Sequence, residues 1–292
     1  MGDDIEINAT LVRRLLAAQF PRWADLPIVP VRSAGAVNAI HRPGDDMVVR
    51  IPIVPRYAAD LEKEYHWLPR LAPHLPLTIP EPLALGNPSD GYPWHWCVYR
   101  WISGKTFSVD SIRSLREVAT SLAGFITAMW RIDTAGGPPP RPPETLAQGD
   151  RYLRESIAAS KGMIDGRAAI AAWDAALRLP PYDGAYVWIH GDLSRPGNLL
   201  VTGGRLSAVI DFGSASLHDP ARDLIVAWTL FSGESRDAFR AALGVDDATW
   251  ARGRAWTLIR ANNIATYRDT NPVIVAEAQR AIAEVIADRA GD

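Results

Sequence analysis

Residues Ile189–Val201 read IHGDLSRPGNLLV, and a few residues on Ala208–Gly213 read AVIDFG. In both, polar residues sit between apolar runs rich in Ile, Leu and Val, the pattern of a strand running into a loop. A hairpin joining NLLV to LSAVIDF would bring Asn198 and Asp211 together. One amide oxygen and one carboxylate, completed by water and phosphate oxygens, suit Mg2+, which takes octahedral oxygen ligation and few protein carboxylates. Asp192 is then left to orient a hydroxyl and take its proton. Taken singly, each of the three is more readily read as a turn residue, since Asp and Asn are common in turns. Their joint arrangement, with His190 two residues before Asp192 and Phe212–Gly213 after Asp211, points to chemistry.

Upstream of this stretch, NATLVRRLLAAQF has Asn8 at an N-cap position and Leu11, Leu15 and Leu16 on one helical face. LPIVPVR, AVNAIHR and DMVVRIP read as strands, the last two joined by the turn signal PGDD. YAADLEKEYHWLPRLAP reads as a helix with Leu61, Tyr65 and Leu68 as its stripe and Pro73 just past its end. IPEPLALG and WHWCVYRWI add two strands. SGKTF breaks the β pattern, and from there the chain is mainly helical, starting with a capping pair, Ser114 and Glu117. The boundary falls near Gly104, and ligands favour such seams. DPARDLIVAWTLF reads as a helix. Its Asp223 is either a brace for the His190–Asp192 loop or an ordinary aspartate at a helix N-terminus.

Bulk composition narrows the function classes. With 292 residues and 48% apolar content the chain can bury a large core in one or two domains. A net charge of −2 gives no footprint for nucleic acid or an anionic membrane. No apolar run approaches the roughly 18 residues of a membrane span. The N-terminus, MGDDIEINAT, is unlike a signal peptide, and the single Cys97 cannot form an internal disulfide. The expectation is a cytoplasmic protein of unspecified oligomeric state. The 11 tryptophans are read as core and groove residues.

H-x-D…N followed by I-D-F-G resembles the aminoglycoside phosphotransferase family of the protein-kinase-like superfamily. Supporting stretches run through GAVNAIHRPGDDMVVRIP, LEKEYHWLPRLAPHLP, VYRWISG, DPARDL and FRAALGVDDATWARGRAW. The resemblance implies an α+β, bilobal kinase-like fold. Residues 1–103 would form a nucleotide-binding lobe with a five-stranded antiparallel sheet, one helix and the hinge. Residues 104–292 would form a larger helical lobe with the catalytic loop and acceptor site. It implies a small-molecule kinase that uses ATP or GTP with Mg2+ and phosphorylates a hydroxyl, an aminoglycoside or other antibiotic being a candidate acceptor. By motif position Asp192 is the catalytic aspartate, and Asn198 and Asp211 are the metal ligands.

The same resemblance assigns the nucleotide contacts. Arg50, in MVVRIP, takes the place of the strand lysine that holds the α- and β-phosphates. Glu64 is its ion partner and Glu62 the competitor. Ser33 and Gly35, in a loop with one glycine, would cover the phosphates. Arg100, Trp101 and Ile102 would offer backbone to the base.

One departure bears on activity. Asp192 and Asn198 are six positions apart, where the kinase pattern has five. An added residue brings roughly 3.3 Å of chain, so Pro196–Gly197 must loop the surplus outward if Asn198 is to keep its place. Arg195 is then either a solvated surface residue or a contact for the γ-phosphate. The six-residue spacing and Arg50 also admit a pseudokinase-like nucleotide-binding protein with weak or no catalysis. Beyond Thr106 acidic and basic residues nearly balance, so no strong field calls for a polycationic acceptor. Asp150, Glu155, Asp246, Asp247 and Asp269 are loose candidates for a local acidic cluster.

Overall fold

The computed structural model describes residues 6–31, 37–89 and 91–290. Helix α1 (Ala9–Gln19) is capped by Asn8, whose side chain accepts from the Leu11 N–H at 3.0 Å. Its Leu11, Leu15 and Leu16 are buried against the sheet, as their spacing predicts. The sheet is made by β1 (Ile28–Val31), β2 (Asn38–Pro43), β3 (Met47–Pro52), β4 (Pro82–Gly86) and β5 (Trp96–Arg100). All neighbours are antiparallel, in the order β1-β2-β3-β5-β4. The β2–β3 turn carries Gly44 at φ 60°, a left-handed conformation that glycine adopts without steric cost.

Helix α2 (Ala58–Leu71) lies between β3 and β4 in sequence and buries Leu61 and Leu68. The stripe departs from expectation at one position. Tyr65 stays half-exposed, and Glu64 is the buried side chain. The apolar-stripe rule fails there because a buried carboxylate is tolerated once it is paired.

By contacts the chain divides into two compact units. The first is Met1–Thr106 with Leu199–Thr202 and Ser207–Ser214. Besides the sheet it holds β6 (Lys105–Thr106), too short to be seen in SGKTF, which pairs with β8 (Leu199–Thr202). β9 (Arg205–Val209) completes a three-stranded sheet in the order β6-β8-β9, so the expected NLLV–LSAVIDF hairpin forms.

The second unit, Phe107–Asn198, Gly203–Leu206 and Ala215–Asp292, is mainly helical. Its helices are α3 (Leu115–Trp130), capped by Ser114, α4 (Leu146–Ala159), α5 (Gly166–Ala176), α6 (Val226–Thr229), α7 (Gly233–Leu243), α8 (Asp247–Thr257), α9 (Ala261–Tyr267) and α10 (Pro272–Ala290). β7 (Val187–Ile189) leads into the His190–Asp192 loop and pairs with β10 (Ser216–His218), a strand the sequence reading missed. DPARDLIVAWTLF is not one α-helix. Pro220–Ile225 is 3-10, and α6 follows it for a single turn. Asp219 caps this stretch, and Arg252 of α8 binds Asp219 at 2.8 Å, both side chains buried. Among the described residues no helix is long and apolar enough to cross a membrane.

Candidate active site

In the sheet-bearing unit, Arg50 leaves β3 between the buried Val49 and Ile51. Its Nη1 donates to Glu64 Oε2 at 2.7 Å, and the Glu64 side chain is fully buried. Tyr99 of β5 donates its hydroxyl to the same oxygen at 2.6 Å. Glu62, the competing partner, lies on another face of α2 and approaches His95 instead, at 3.6 Å. The other terminal nitrogen of Arg50 donates to Asp211 Oδ1 at 3.0 Å. Burial opposes the guanidinium charge, but Glu64, Tyr99 and Asp211 outweigh it and hold the Arg50 pKa above its ordinary value.

Asp211 has φ 67° and, among the described residues, is the only non-glycine with positive φ. Aspartate is one of the few residues that tolerate this region, and such backbone clusters at functional sites. Asp211 Oδ2 has no hydrogen-bond partner among the described residues. Lys63 of α2 donates to the Gly213 carbonyl and so ties the turn after Asp211 to the helix that carries Glu64.

Ser33 and Gly35 lie outside the described residues. Arg100 donates its side chain to Glu81 at 2.6 Å and its backbone N–H to the Glu81 carbonyl. The Trp101 N–H is committed to the Asp46 carbonyl, and Arg42 stacks over the Trp101 ring at 4.6 Å. Ile102 is half-buried. Cys97 is buried in β5, and burial pushes its thiol up to about 12, so it is an inert core residue.

In the helical unit, the His190–Asp192 loop is locked by Asp223. Its Oδ2 accepts from the His190 N–H and its Oδ1 from the Gly191 N–H, each at 2.8 Å. The bracing alternative for Asp223 is therefore the one realised. Burial raises its carboxyl to about 6, against the opposing pull of those two N–H groups. His190 is fully buried and its Nδ1 accepts from the Asp192 N–H at 3.2 Å, a structural role.

Asp192 is half-buried, with Oδ2 3.3 Å from Arg195 Nε and 3.2 Å from Asn198 Nδ2. Pro196–Asn198 form a 3-10 turn in which the Asn198 N–H donates to the Arg195 carbonyl at 3.0 Å. Asn198 Nδ2 also donates to the Asp192 carbonyl at 2.8 Å, which closes the loop on itself. Asn198 is buried, and its Oδ1 has no hydrogen-bond partner among the described residues. Arg195 is not simply solvated: half-exposed, it faces the Asp192 carboxylate. Sequence reasoning missed Arg260, whose Nη2 donates to the Ser194 carbonyl at 3.1 Å from 66 positions away.

The model of the phosphotransferase enzyme family (APH) matches residues 31–256. The chain belongs to that family. It is thereby a small-molecule kinase within the protein-kinase-like superfamily. Among curated proteins there is no significant match. Solved structures with the same fold include the GDP and kanamycin complex of APH(2")-IIIa, at TM-score 0.73 and 21% identity, with 95% of this chain and 99% of that one covered. The GDP complex of wild-type aminoglycoside 2'-phosphotransferase-IIIa superposes at TM-score 0.73 and 20% identity, covering 97% and 100%. Macrolide 2'-phosphotransferase MphH from Brachybacterium faecium does so at 0.60 and 22%, covering 92% and 96%. Members of the APH fold thus include structures with a bound nucleoside diphosphate. At these identities the likeness speaks for the fold, and the site residues of this phosphotransferase rest on its own motif and geometry.

Proposed function

We propose that the protein transfers the γ-phosphoryl group of ATP or GTP, with Mg2+, to a hydroxyl of a small molecule, an antibiotic being one candidate acceptor. The observation that carries this reading is the Asp192 loop. Its backbone is fixed by Asp223 and its carboxylate is held by Asn198 and Arg195, so a base stands pre-oriented without a folding cost at the moment of reaction. Asp192 orients the acceptor hydroxyl and receives its proton. The acceptor oxygen bonds to the γ-phosphorus, the bond to the bridging oxygen breaks, and the electron pair leaves on the nucleoside diphosphate.

Motif position assigns the metal to Asn198 and Asp211. Each keeps one oxygen without a protein hydrogen bond among the described residues, and hard oxygen donors fit Mg2+. Bound there, the ion would neutralise phosphate charge. Arg50, held by Glu64, serves the α- and β-phosphates, and Ser33 and Gly35 cover them. At the hinge the N–H groups of Arg100 and Trp101 are already spent, so the base meets carbonyls or the Ile102 N–H.

The test is nucleotide-induced thermal stabilisation with and without Mg2+, followed by nucleotide turnover in the wild type and in Asp192→Ala. Stabilisation that needs Mg2+ and turnover lost in the variant are expected. A weak or inactive pseudokinase-like binder is the second reading, favoured by the Arg50–Asp211 ion pair, which engages one oxygen of the assigned metal ligand. Stabilisation indifferent to Mg2+, with turnover equal in both proteins, would select it.

A further inference from the structure

Two guanidinium groups stand in the field of the Asp192 carboxylate. Arg195 comes from the loop itself, with Nε 3.3 Å from Asp192 Oδ2. Arg260 comes from Leu258–Arg260, a 3-10 turn between α8 and α9, and reaches the buried Ser194. Burial presses the Arg260 pKa down. Asp192 is the chief group opposing that, Arg195 presses it down further, and Glu277 of α10 acts more weakly than either.

Each guanidinium carries five N–H donors in a planar fork that matches carboxylate or phosphate oxygens. Among the described residues the Ser194 carbonyl is the only hydrogen-bond acceptor for Arg260, and Asp192 is the only ion-pair partner of Arg195. Among the described residues most of these donors therefore have no hydrogen-bond acceptor, right where the acceptor hydroxyl must sit.

Three of the five carboxylates that were candidates for an acidic cluster are engaged by other groups. Asp150 accepts from Arg154 and from Trp173 Nε1. Asp246 caps α8, and Asp247 pairs with Arg240. Glu155 and Asp269 are exposed.

We propose that Arg260 and Arg195 form a cationic subsite beside Asp192 that binds an acid group of the acceptor. The acceptor is then a hydroxyl compound carrying a carboxylate or a phosphate near the hydroxyl, and not a polyamine sugar. This rests on the phosphotransferase reading above. The competing source of an anion is the γ-phosphate of the nucleotide. The acceptor is favoured because Arg50 already supplies a phosphate cation, whereas Arg260 belongs to the helical unit that carries Asp192.

The experiment has a baseline and two arms. The baseline is Mg2+-dependent thermal stabilisation by ATP or GTP and slow nucleotide hydrolysis. If both are absent, the phosphotransferase reading falls and takes this proposal with it. The first arm measures acceptor-stimulated turnover with matched pairs: sugar acids and sugar phosphates against their parent sugars, with macrolides and aminoglycosides alongside. Acidic members should exceed their neutral parents by tenfold or more in kcat/KM. With the baseline intact, stimulation confined to neutral or cationic alcohols, or absent from every acidic one, overturns the proposal.

The second arm uses Arg260→Gln, Arg260→Lys and the half-exposed Arg195→Gln, which does not threaten folding. The glutamine variants should raise the KM of the acidic acceptor at least tenfold more than that of the nucleotide, and lysine should recover part of the loss. A rise in nucleotide KM with acceptor KM unmoved assigns the fork to the γ-phosphate and overturns the proposal.

Discussion

Arg50 and Asp211, 161 positions apart in sequence, form an ion pair at 3.0 Å, and the same guanidinium holds Glu64 at 2.7 Å. The two carboxylates differ in surroundings. The Glu64 side chain is 0% exposed and that of Asp211 39%. Removing one partner of a buried pair strands a charge and costs about 3–5 kcal/mol, whereas an exposed pair contributes about 0–1 kcal/mol. Glu64→Gln should therefore lower thermal stability far more than Asp211→Asn, although Asp211→Asn should cost more activity. Denaturant unfolding of both variants checks the order. Equal losses of stability would contradict the assignment of Glu64 as the buried anchor.

Lysine at position 50 restores the residue type of the kinase strand but not the geometry. A single ammonium cannot present two divergent donors to Glu64 and Asp211 as the planar fork does. Arg50→Lys should keep the buried Glu64 contact and lose the half-exposed one to Asp211, costing about 0–1 kcal/mol, with a slightly lower Tm and a higher nucleotide KM. An unchanged Tm would mean that the Asp211 contact contributes nothing to the ground state.

Asp223 links pH to both stability and activity. Its carboxyl titrates near 6 in the folded protein because burial disfavours the charge. Between the unfolded-state value near 4 and the folded value the native state holds a proton that the unfolded chain has released. Stability from this group is thus fully present below pH ~4 and is lost as pH rises to ~6, on the order of 3 kcal/mol. Activity runs the opposite way. The ionised carboxylate is the form that best accepts from both His190 and Gly191, so kcat should fall as pH drops through about 6. Asp223→Asn should flatten both profiles, since an amide can accept from only one of the two N–H groups. A wild-type acid limb unaltered in the variant would show that another group sets it.

Much of this site is legible in the sequence because it obeys local rules. The five-strand sheet follows from alternating runs and turn signals, whereas the Arg50–Glu64 pair comes from the family resemblance, which sets Arg50 in the place of the strand lysine and leaves Glu62 as a competitor. The rest depends on burial and distance. Glu64 lies where a stripe of apolar residues predicts Tyr65. Pro220–Ile225 is 3-10 rather than α, and its cap Asp219 is held by Arg252 from 33 positions away, a contact no local pattern encodes. Arg260 sits in a helical pattern without a motif, and its contact to Ser194 spans 66 positions that no periodicity encodes.

The surplus residue between Asp192 and Asn198 gives a sharp test of the proposed role of that loop. Gly197 lies in the Pro196–Asn198 turn at a φ open to any residue, and an added Cβ there meets no atom within 4 Å. A glycine replaced where its conformation is not required stabilises by about 0.4–1 kcal/mol through the unfolded chain. Gly197→Ala should therefore leave Tm equal or slightly higher and keep kcat within about twofold, because the turn already has one defined conformation. A large fall in kcat without loss of Tm would mean that the loop must open during turnover.

Gly253 should respond in the opposite way to the same substitution. It sits in α8 against the 3-10 stretch that carries Asp223, and a Cβ there would lie 2.5 Å from Leu224 Cβ and 3.2 Å from the Ala221 carbonyl. Neither neighbour is the far end of a flexible side chain, and Arg252 clamps Asp219 at the start of the same stretch, so the 3-10 segment itself must move. Overpacking of this kind costs about 1–3 kcal/mol. The displacement is passed to Asp223, one residue from Leu224, and through its two 2.8 Å bonds to the backbone of His190 and Gly191. Gly253→Ala should lower kcat more than an overpacked control in the sheet-bearing unit, such as Gly86→Ala, where the added Cβ meets the Trp96 ring. Comparing kcat of the two at a temperature where both remain folded decides the matter. Equal kcat in the pair would separate Asp223 from the positioning of Asp192.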